Sequence, residues 1–243
     1  MHTIAIGEAE AAAAIRGCSV IDGILPGDLC IDLAGCIEHY AAFQELPMVR
    51  RSFRSRPLQY MVIDGARIAR DLPEIVAIGE TLAARLSAAS RCHVELLPSA
   101  QVACNVNLTP PGGAYRWHYD RNPFTAIVYL NEVKGGETEV YPRYRLPSGG
   151  SPHLQRAADA VLLAPPVRML LGKKRIIAPA PGRAVVFRGD RCLHSVRAVV
   201  EGLRIALVFS FSLNGDCGNR GEALDEYLYT TGAVEGVDPN YRG

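Results

Sequence analysis

From Val94 onward the chain breaks into short runs rich in Val, Ile, Tyr and Phe, separated by Gly, Pro and Asn, and this pattern limits the possible folds more than any other feature. The runs are Gln101–Leu108, Ala114–Asp120, Thr125–Asn131, Glu137–Tyr141, Arg183–Phe187 and Leu203–Ser212. Each has the length of a strand, and several strands divided by turn residues predict an antiparallel double-sheet or barrel architecture. Gly135-Gly136, between the third and fourth runs, reads as a hairpin turn. Residues 1–100 are mixed and suit a supporting region, with an alanine-rich stretch at Glu8–Arg16 and a loop around Leu25–Asp28. A long helix is predicted from Asp71 to about Arg91, where Asp71 and Glu74 suit a capping box and Pro73 is tolerated in the first turn. Ile75, Ile78, Leu82 and Leu86 recur at helical spacing, so one face can pack on a sheet. Gly79 interrupts this face at a cost of about 1 kcal/mol relative to alanine. The expected class is mainly β with flanking helices (α+β). A single domain over 1–243 would have its β core at 101–213, an irregular insertion rich in Pro, Arg and Gly at 143–178, and a tail at 214–243.

Bulk properties exclude some function classes. With 243 residues, 49% of them hydrophobic and 21% charged, the chain can bury a sizeable core. A formal net charge of +1 predicts no strong attraction to nucleic acid or to an anionic membrane. Apolar runs such as Ala184–Phe187 and Ile205–Phe209 are too short to span a bilayer, and Met1–Ala11 carries acids where a signal peptide would carry a basic region. Cytoplasmic location is therefore expected. The seven cysteines are odd in number and contain no CxxC pair, which fits reduced thiols acting as small buried hydrophobes. Oligomeric state is not legible.

Strand periodicity turns four residues into a geometry. Residues two apart in a strand share a face, so His118 and Asp120 project together and can take adjacent positions on one metal. His194, after the turn-like Arg188-Gly189-Asp190, can close a third. Two imidazoles and a carboxylate form the facial set that holds non-haem Fe(II) with open positions beside it. In the last run, Leu203, Ile205, Leu207, Phe209 and Phe211 share one face, while Arg204, Ala206, Val208, Ser210 and Ser212 share the other. Arg204 thus heads a pocket-facing set, and a buried guanidinium can fork onto the carboxylate of a dicarboxylic acid near the iron. Thr125, Ile127, Tyr129 and Asn131 share a face of their strand, which makes Tyr129 a candidate second donor to that carboxylate. Taken singly, an HxD tripeptide is usually a turn feature and a strand arginine usually sits exposed on an edge. Their order along successive strands is what carries weight. Cys192 and Ser195 flank His194, but a nucleophile-and-base reading lacks both an orienting group and an oxyanion site.

With these residues in hand, residues 102–212 resemble the catalytic domain of Fe(II)/2-oxoglutarate-dependent dioxygenases, most closely the prolyl-4-hydroxylase-like branch. The matching segments are HYDRNP at His118–Pro123, IVYLNE at Ile127–Glu132, GGETEVYP at Gly135–Pro142, PGRAVVF at Pro181–Phe187 and LHSVRAVVEGLRIALVFSF at Leu193–Phe211. The resemblance implies a double-stranded β-helix (jelly roll, cupin-like) braced by N-terminal helices. It implies that His118, Asp120 and His194 bind iron, that Arg204 pairs with the distal carboxylate of 2-oxoglutarate, and that Tyr129 hydrogen-bonds it. Thr125 and Asn105 join the co-substrate candidates; Asn105 stands where the family often carries a tyrosine. The co-substrates would be 2-oxoglutarate and O₂, with ascorbate as a supporting reductant.

The expected reaction is hydroxylation of an unactivated C–H bond, coupled to decarboxylation of 2-oxoglutarate to succinate and CO₂. A small molecule with an acidic group, an amino acid or a biosynthetic intermediate, is the expected substrate, because Arg168, Lys173, Lys174 and Arg175 cluster in the insertion. Asn107, Arg116, Arg121 and Arg143 are the candidate substrate contacts. Alternatives are a prolyl hydroxylase acting on peptides, a desaturase, and a non-catalytic β-barrel binding module.

Overall fold

The computed structural model describes residues 4–51, 58–145 and 152–218; most of the tail expected at 214–243 lies outside them. The N-terminal part alternates helix and strand: α1 (Glu8–Arg16), β1 (Cys18–Ile21), α2 (Gly27–Phe43), β2 (Val49–Arg51), β3 (Leu58–Ile63), α3 (Gly65–Asp71), α4 (Pro73–Ser90), β4 (Val94–Leu96) and α5 (Ala100–Ala103). Then come β5 (Cys104–Thr109), β6 (Tyr115–His118), β7 (Phe124–Tyr129), β8 (Lys134–Gly135) and β9 (Thr138–Tyr141). The remainder comprises α6 (Pro152–Leu163), α7 (Pro165–Leu171), β10 (Arg175–Ile177), β11 (Ala184–Phe187), β12 (Leu193–Val196), β13 (Val199–Glu201) and β14 (Arg204–Leu213).

Apart from β8 and β13, which pair as a separate two-stranded ribbon, the strands form two facing antiparallel sheets, the jelly-roll arrangement expected. The larger runs β1-β11-β7-β14-β5-β3-β2, with β4 also pairing to β14, and the smaller runs β10-β9-β12-β6. Alternation along β14 sorts its side chains between two environments. Ile205, Leu207, Phe209 and Phe211 join the main core with Ala11 of α1, Ile37 of α2, and Ile75 and Leu82 of α4. Ala206, on the opposite face, joins Tyr129, Val140, Val185 and Phe187 in a second cluster between the sheets. Helices thus cover the outer face of the large sheet, and the site faces the small one. Gly79 lies where α4 crosses β14: a Cβ there would come within 2.7 Å of the Phe209 ring, so the close approach of helix and sheet requires glycine.

Several local expectations change. Asp71 does not cap a helix. It ends α3, and its carboxylate accepts from the Tyr40 hydroxyl (2.7 Å) and from Arg70 (2.8 Å), while Leu72 stands at the start of α4. The stretch around Leu25–Asp28 leads directly into the 17-residue α2. The run expected from Gln101 begins as the short helix α5, and its strand starts at Cys104. The insertion contains two helices and a strand rather than loop alone. Leu162, Tyr141, Tyr144 and Leu193 form an apolar cluster there, with Arg168 of α7 lying 4.6 Å over the Trp117 ring. Among the described residues no helix is long and apolar enough to cross a membrane.

Candidate active site

His118 ends β6 and His194 lies in β12, and antiparallel pairing sets the two directly opposite each other. Their rings stand 4.1 Å apart. Asp120 follows β6, held by its own N–H to Gly189 O (3.0 Å). Its Oδ1 lies 3.6 Å from His118 Nε2 and 3.3 Å from His194 Nε2. The ligating atoms of the three residues all lie within 4.8 Å of one another. Each imidazole has its other nitrogen committed: His118 Nδ1 bonds Arg116 O (2.7 Å) and His194 Nδ1 bonds Cys192 O (3.0 Å). A backbone carbonyl accepts only from N–H, so both rings carry the proton on Nδ1 and offer Nε2, the tautomer that a metal requires.

The electrostatics fit the same use. Burial, with His194 beside it, pushes His118 down to about 4, so it is neutral at ordinary pH. Burial alone would lower His194 too, but the Asp120 carboxylate outweighs it and raises the group. Burial would raise Asp120, and the two imidazoles with the Thr125 hydroxyl reverse this and hold it ionised. A divalent cation entering the site would displace the His194 proton that Asp120 favours, and two neutral nitrogens with an anionic oxygen then form its donor set.

Beside the triad a cavity enclosing about 730 Å³, including the space open to solvent at its mouth, is lined at one end by Arg204 and elsewhere by Asn107, Thr125, Ile127, Val208 and Ser210. Tyr60, Tyr115 and Val196 give it an aromatic and apolar wall. Tyr115 and His118 both face this cavity although three positions apart. The register between β12 and β6 shifts there, and such a bulge re-aims a side chain.

Arg204 is 2% exposed and has no acidic partner among the described residues. Its Nε donates to Gly136 O (3.0 Å), its Nη2 to Thr138 Oγ1 (3.4 Å), and its guanidinium lies 5.0 Å over the Tyr129 ring. Gly136 has φ +67, and a Cβ on it would lie 3.0 Å from Arg204 Cδ, so glycine serves both the turn and the arginine. An isolated buried charge is costly, and a ligand's carboxylate would neutralise it. A site with this triad and this unpaired guanidinium fits both iron and a dicarboxylic keto acid.

The other expected residues divide. Tyr129 is fully buried beneath Arg204, and its hydroxyl donates to Thr138 Oγ1 (2.6 Å) rather than standing free in the cavity. Thr138, which the sequence reading missed, accepts from both, and its own proton is left to give. Thr125 lines the cavity, but its hydroxyl donates to Asp120 Oδ2 (2.6 Å). Asn105 is buried on the face of β5 that pairs with Val208, and both its amide atoms lack a partner among the described residues. Asn107 reaches the cavity. Arg116 presents its carbonyl to His118, and neither it nor Arg121 lines the cavity. Arg143 does not reach the site: its Nε donates to Arg16 O, at the edge near α1. The insertion's cations also turn to protein partners, Lys174 to Glu139 (2.8 Å) and Arg175 to Cys18 O (3.1 Å). A nucleophile beside His194 is excluded, since Ser195 donates to Glu139 (3.2 Å) and the buried Cys192 thiol is pushed up to about 12.

The sequence model of the 2OG-Fe(II) oxygenase superfamily matches residues 101–212, the span that carries the triad and Arg204. Over that span, just under half of its length, the chain carries the pattern of the 2OG-Fe(II) oxygenase superfamily. It is a non-haem dioxygenase whose cofactor and co-substrate are Fe(II) and 2-oxoglutarate, and His118, Asp120 and His194 fit the iron. No curated protein matches it in sequence. Among solved structures, a Pseudomonas putida prolyl-4-hydroxylase is similar at 22% identity and TM-score 0.55, covering 83% of this chain and 98% of its own. The α-ketoglutarate-dependent epimerase SnoN of nogalamycin biosynthesis is similar at 16% identity and TM-score 0.67, covering 96% and 91%. The carbocyclase SnoK of the same biosynthesis gives 13% identity and TM-score 0.68, covering 94% and 92%. At these identities the likeness establishes a shared double-stranded β-helix fold.

Proposed function

We propose that this oxygenase hydroxylates an unactivated C–H bond of a small molecule, with His118, Asp120 and His194 holding the iron and Arg204 taking the distal carboxylate of 2-oxoglutarate. The observation that carries the co-substrate assignment is the buried guanidinium of Arg204, whose only hydrogen bonds among the described residues go to the neutral oxygens of Gly136 and Thr138. When bound, the iron and keto acid supply the oxidising chemistry, splitting 2-oxoglutarate to succinate and CO₂ and delivering one oxygen atom of O₂ to substrate carbon. The protein's share is orientation and exclusion of water. His118 and His194 present Nε2 because their Nδ1 atoms are tied to carbonyls. Arg204 fixes the keto acid end-on, and Thr138 has a proton to add to the same carboxylate. Tyr60, Tyr115 and Val196 form a wall against which an apolar part of the substrate can rest.

A small substrate is supported by the lining, since one recess walled by Tyr60, Tyr115 and Val196 beside the triad and Arg204 must take both the substrate and 2-oxoglutarate. SnoN, of like fold, has been crystallised with Fe3+, α-ketoglutarate and nogalamycin RO together. The acidic group expected of the substrate keeps less motivation, because Lys174 and Arg175, two of the cations that suggested it, bond to the protein. Incubation of the iron-loaded enzyme with a metabolite extract and, separately, with proline-containing peptides, read by mass spectrometry for a gain of one oxygen, tests the reading. Products from the extract are expected; products from peptides alone would overturn it.

A further inference from the structure

The two oxygens of Asp120 stand in different environments. Oδ1 faces both imidazole Nε2 atoms, at 3.3 and 3.6 Å. Oδ2 points the other way and accepts the Thr125 hydroxyl at 2.6 Å, a short charge-assisted bond. Thr125 is itself set by Asn122, whose Nδ2 donates to Thr125 Oγ1 (2.8 Å) and to Phe124 O (2.7 Å). With Asn122 filling a lone pair, the threonine proton has Asp120 as its acceptor. Gly189 closes the other side: a Cβ on it would fall 2.8 Å from both Oδ2 and Cβ of Asp120. Rotating the carboxylate would break the Thr125 bond, and a side chain larger than that of glycine at 189 would push against Oδ2.

We propose that Thr125, oriented by Asn122 and backed by Gly189, is a positioning residue that fixes the Asp120 carboxylate so that Oδ1 is presented beside the two imidazoles, where it would hold the metal. On this reading Thr125, expected from the sequence to contact 2-oxoglutarate, serves the metal through Asp120. The inference rests on the proposed metal site. Hydrogen-bond partners that orient metal ligands are commonly worth about 10- to 100-fold in metal affinity.

Calorimetric titration of the metal-free protein with Mn(II), which needs no turnover, tests this in the parent, Asp120→Ala, Thr125→Val, Thr125→Ser and Gly189→Ala. The parent should bind one Mn(II) and Asp120→Ala should not. Thr125→Val, equal in size but without the hydroxyl, should bind about 10- to 100-fold more weakly. Thr125→Ser, which keeps the hydroxyl, should return close to the parent. Rescue by serine separates positioning from packing, because serine is the worse match in volume. Parent-like affinity in folded Thr125→Val would overturn the inference and leave the metal site standing. If Thr125→Val does not fold, Gly189→Ala decides, with unchanged affinity overturning the proposal. Absence of binding in the parent would overturn the metal site itself, and this inference with it.

Discussion

Arg204 holds a full positive charge inside the protein, and its surroundings give it hydrogen-bond acceptors but no counter-charge. This makes opposite predictions for stability and for binding. Arg204→Met should leave the thermal stability of the ligand-free protein unchanged or raise it, because an apolar side chain of similar volume replaces an uncompensated charge. The same change should weaken 2-oxoglutarate binding by about 10- to 100-fold, the loss expected from removing charge-assisted hydrogen bonds. Melting curves and calorimetry on the same preparations check both, and a strongly destabilised Arg204→Met would mean that the charge is satisfied within the protein. Thr138→Val should cost less, about 3- to 10-fold in 2-oxoglutarate affinity, since it removes one neutral donor. Unchanged affinity would show that the Thr138 proton is directed elsewhere. At this scale the sequence was legible where chemistry and alternation coincide. His118 and Arg204 occupy positions whose strand face can be counted, with Asp120 two places beyond His118 and His194 after a readable turn. Thr138 and Gly189 were not legible, and Thr125 was read as a co-substrate contact, because such roles depend on which atoms of a neighbouring strand or turn approach the residue. Arg143 misled for the same reason: proximity in sequence to a strand of the site says nothing of the direction in which the side chain leaves a residue with φ 54.

Among the elements, α4 and β14 carry the packing that supports the site. Their apolar faces were visible as periodicities of 3.6 and 2, and they meet as expected, with Ile75, Leu82 and Leu86 against Phe209 and Phe211. Gly79→Ala should lower stability. Alanine gains about 1 kcal/mol of helix propensity, while a methyl forced against a buried aromatic ring costs about 1–3 kcal/mol. Urea denaturation should show a lower midpoint, and a higher midpoint would mean that helix and strand can separate freely. Elements with weaker periodicity were not legible. α2 mixes small and apolar residues around its circumference and leaves Ile31 and Phe43 exposed at 71% and 76%, so no single stripe announces it. α6 and α7 begin at prolines within a Pro- and Gly-rich stretch that reads as loop, although proline suits the first turn of a helix.

On the scale of the whole molecule, two sheets and a layer of helices place four polar side chains from β6, the loop after it, β12 and β14 around one cavity. The architecture was legible because short alternating strands separated by turns admit few arrangements. The pairing order was not, since register between distant strands depends on contacts that no single strand encodes. Because the metal joins residues from two strands and the loop that follows β6, its binding should stabilise the fold as a unit. At a concentration about a hundredfold above its Kd, Mn(II) should add about 2.7 kcal/mol, or about 5–10 °C in melting temperature, and Asp120→Ala should abolish the shift. The measurement that bears most directly on the enzyme's assignment is an anaerobic titration of the metal-free protein with Fe(II) and 2-oxoglutarate, followed by visible absorption beside Asp120→Ala and Arg204→Ala. A weak charge-transfer band should develop in the parent, be absent in Asp120→Ala, and require far more 2-oxoglutarate in Arg204→Ala. A folded parent that gives no band at saturating iron and keto acid would contradict the proposed site and favour a β-barrel that binds without turnover.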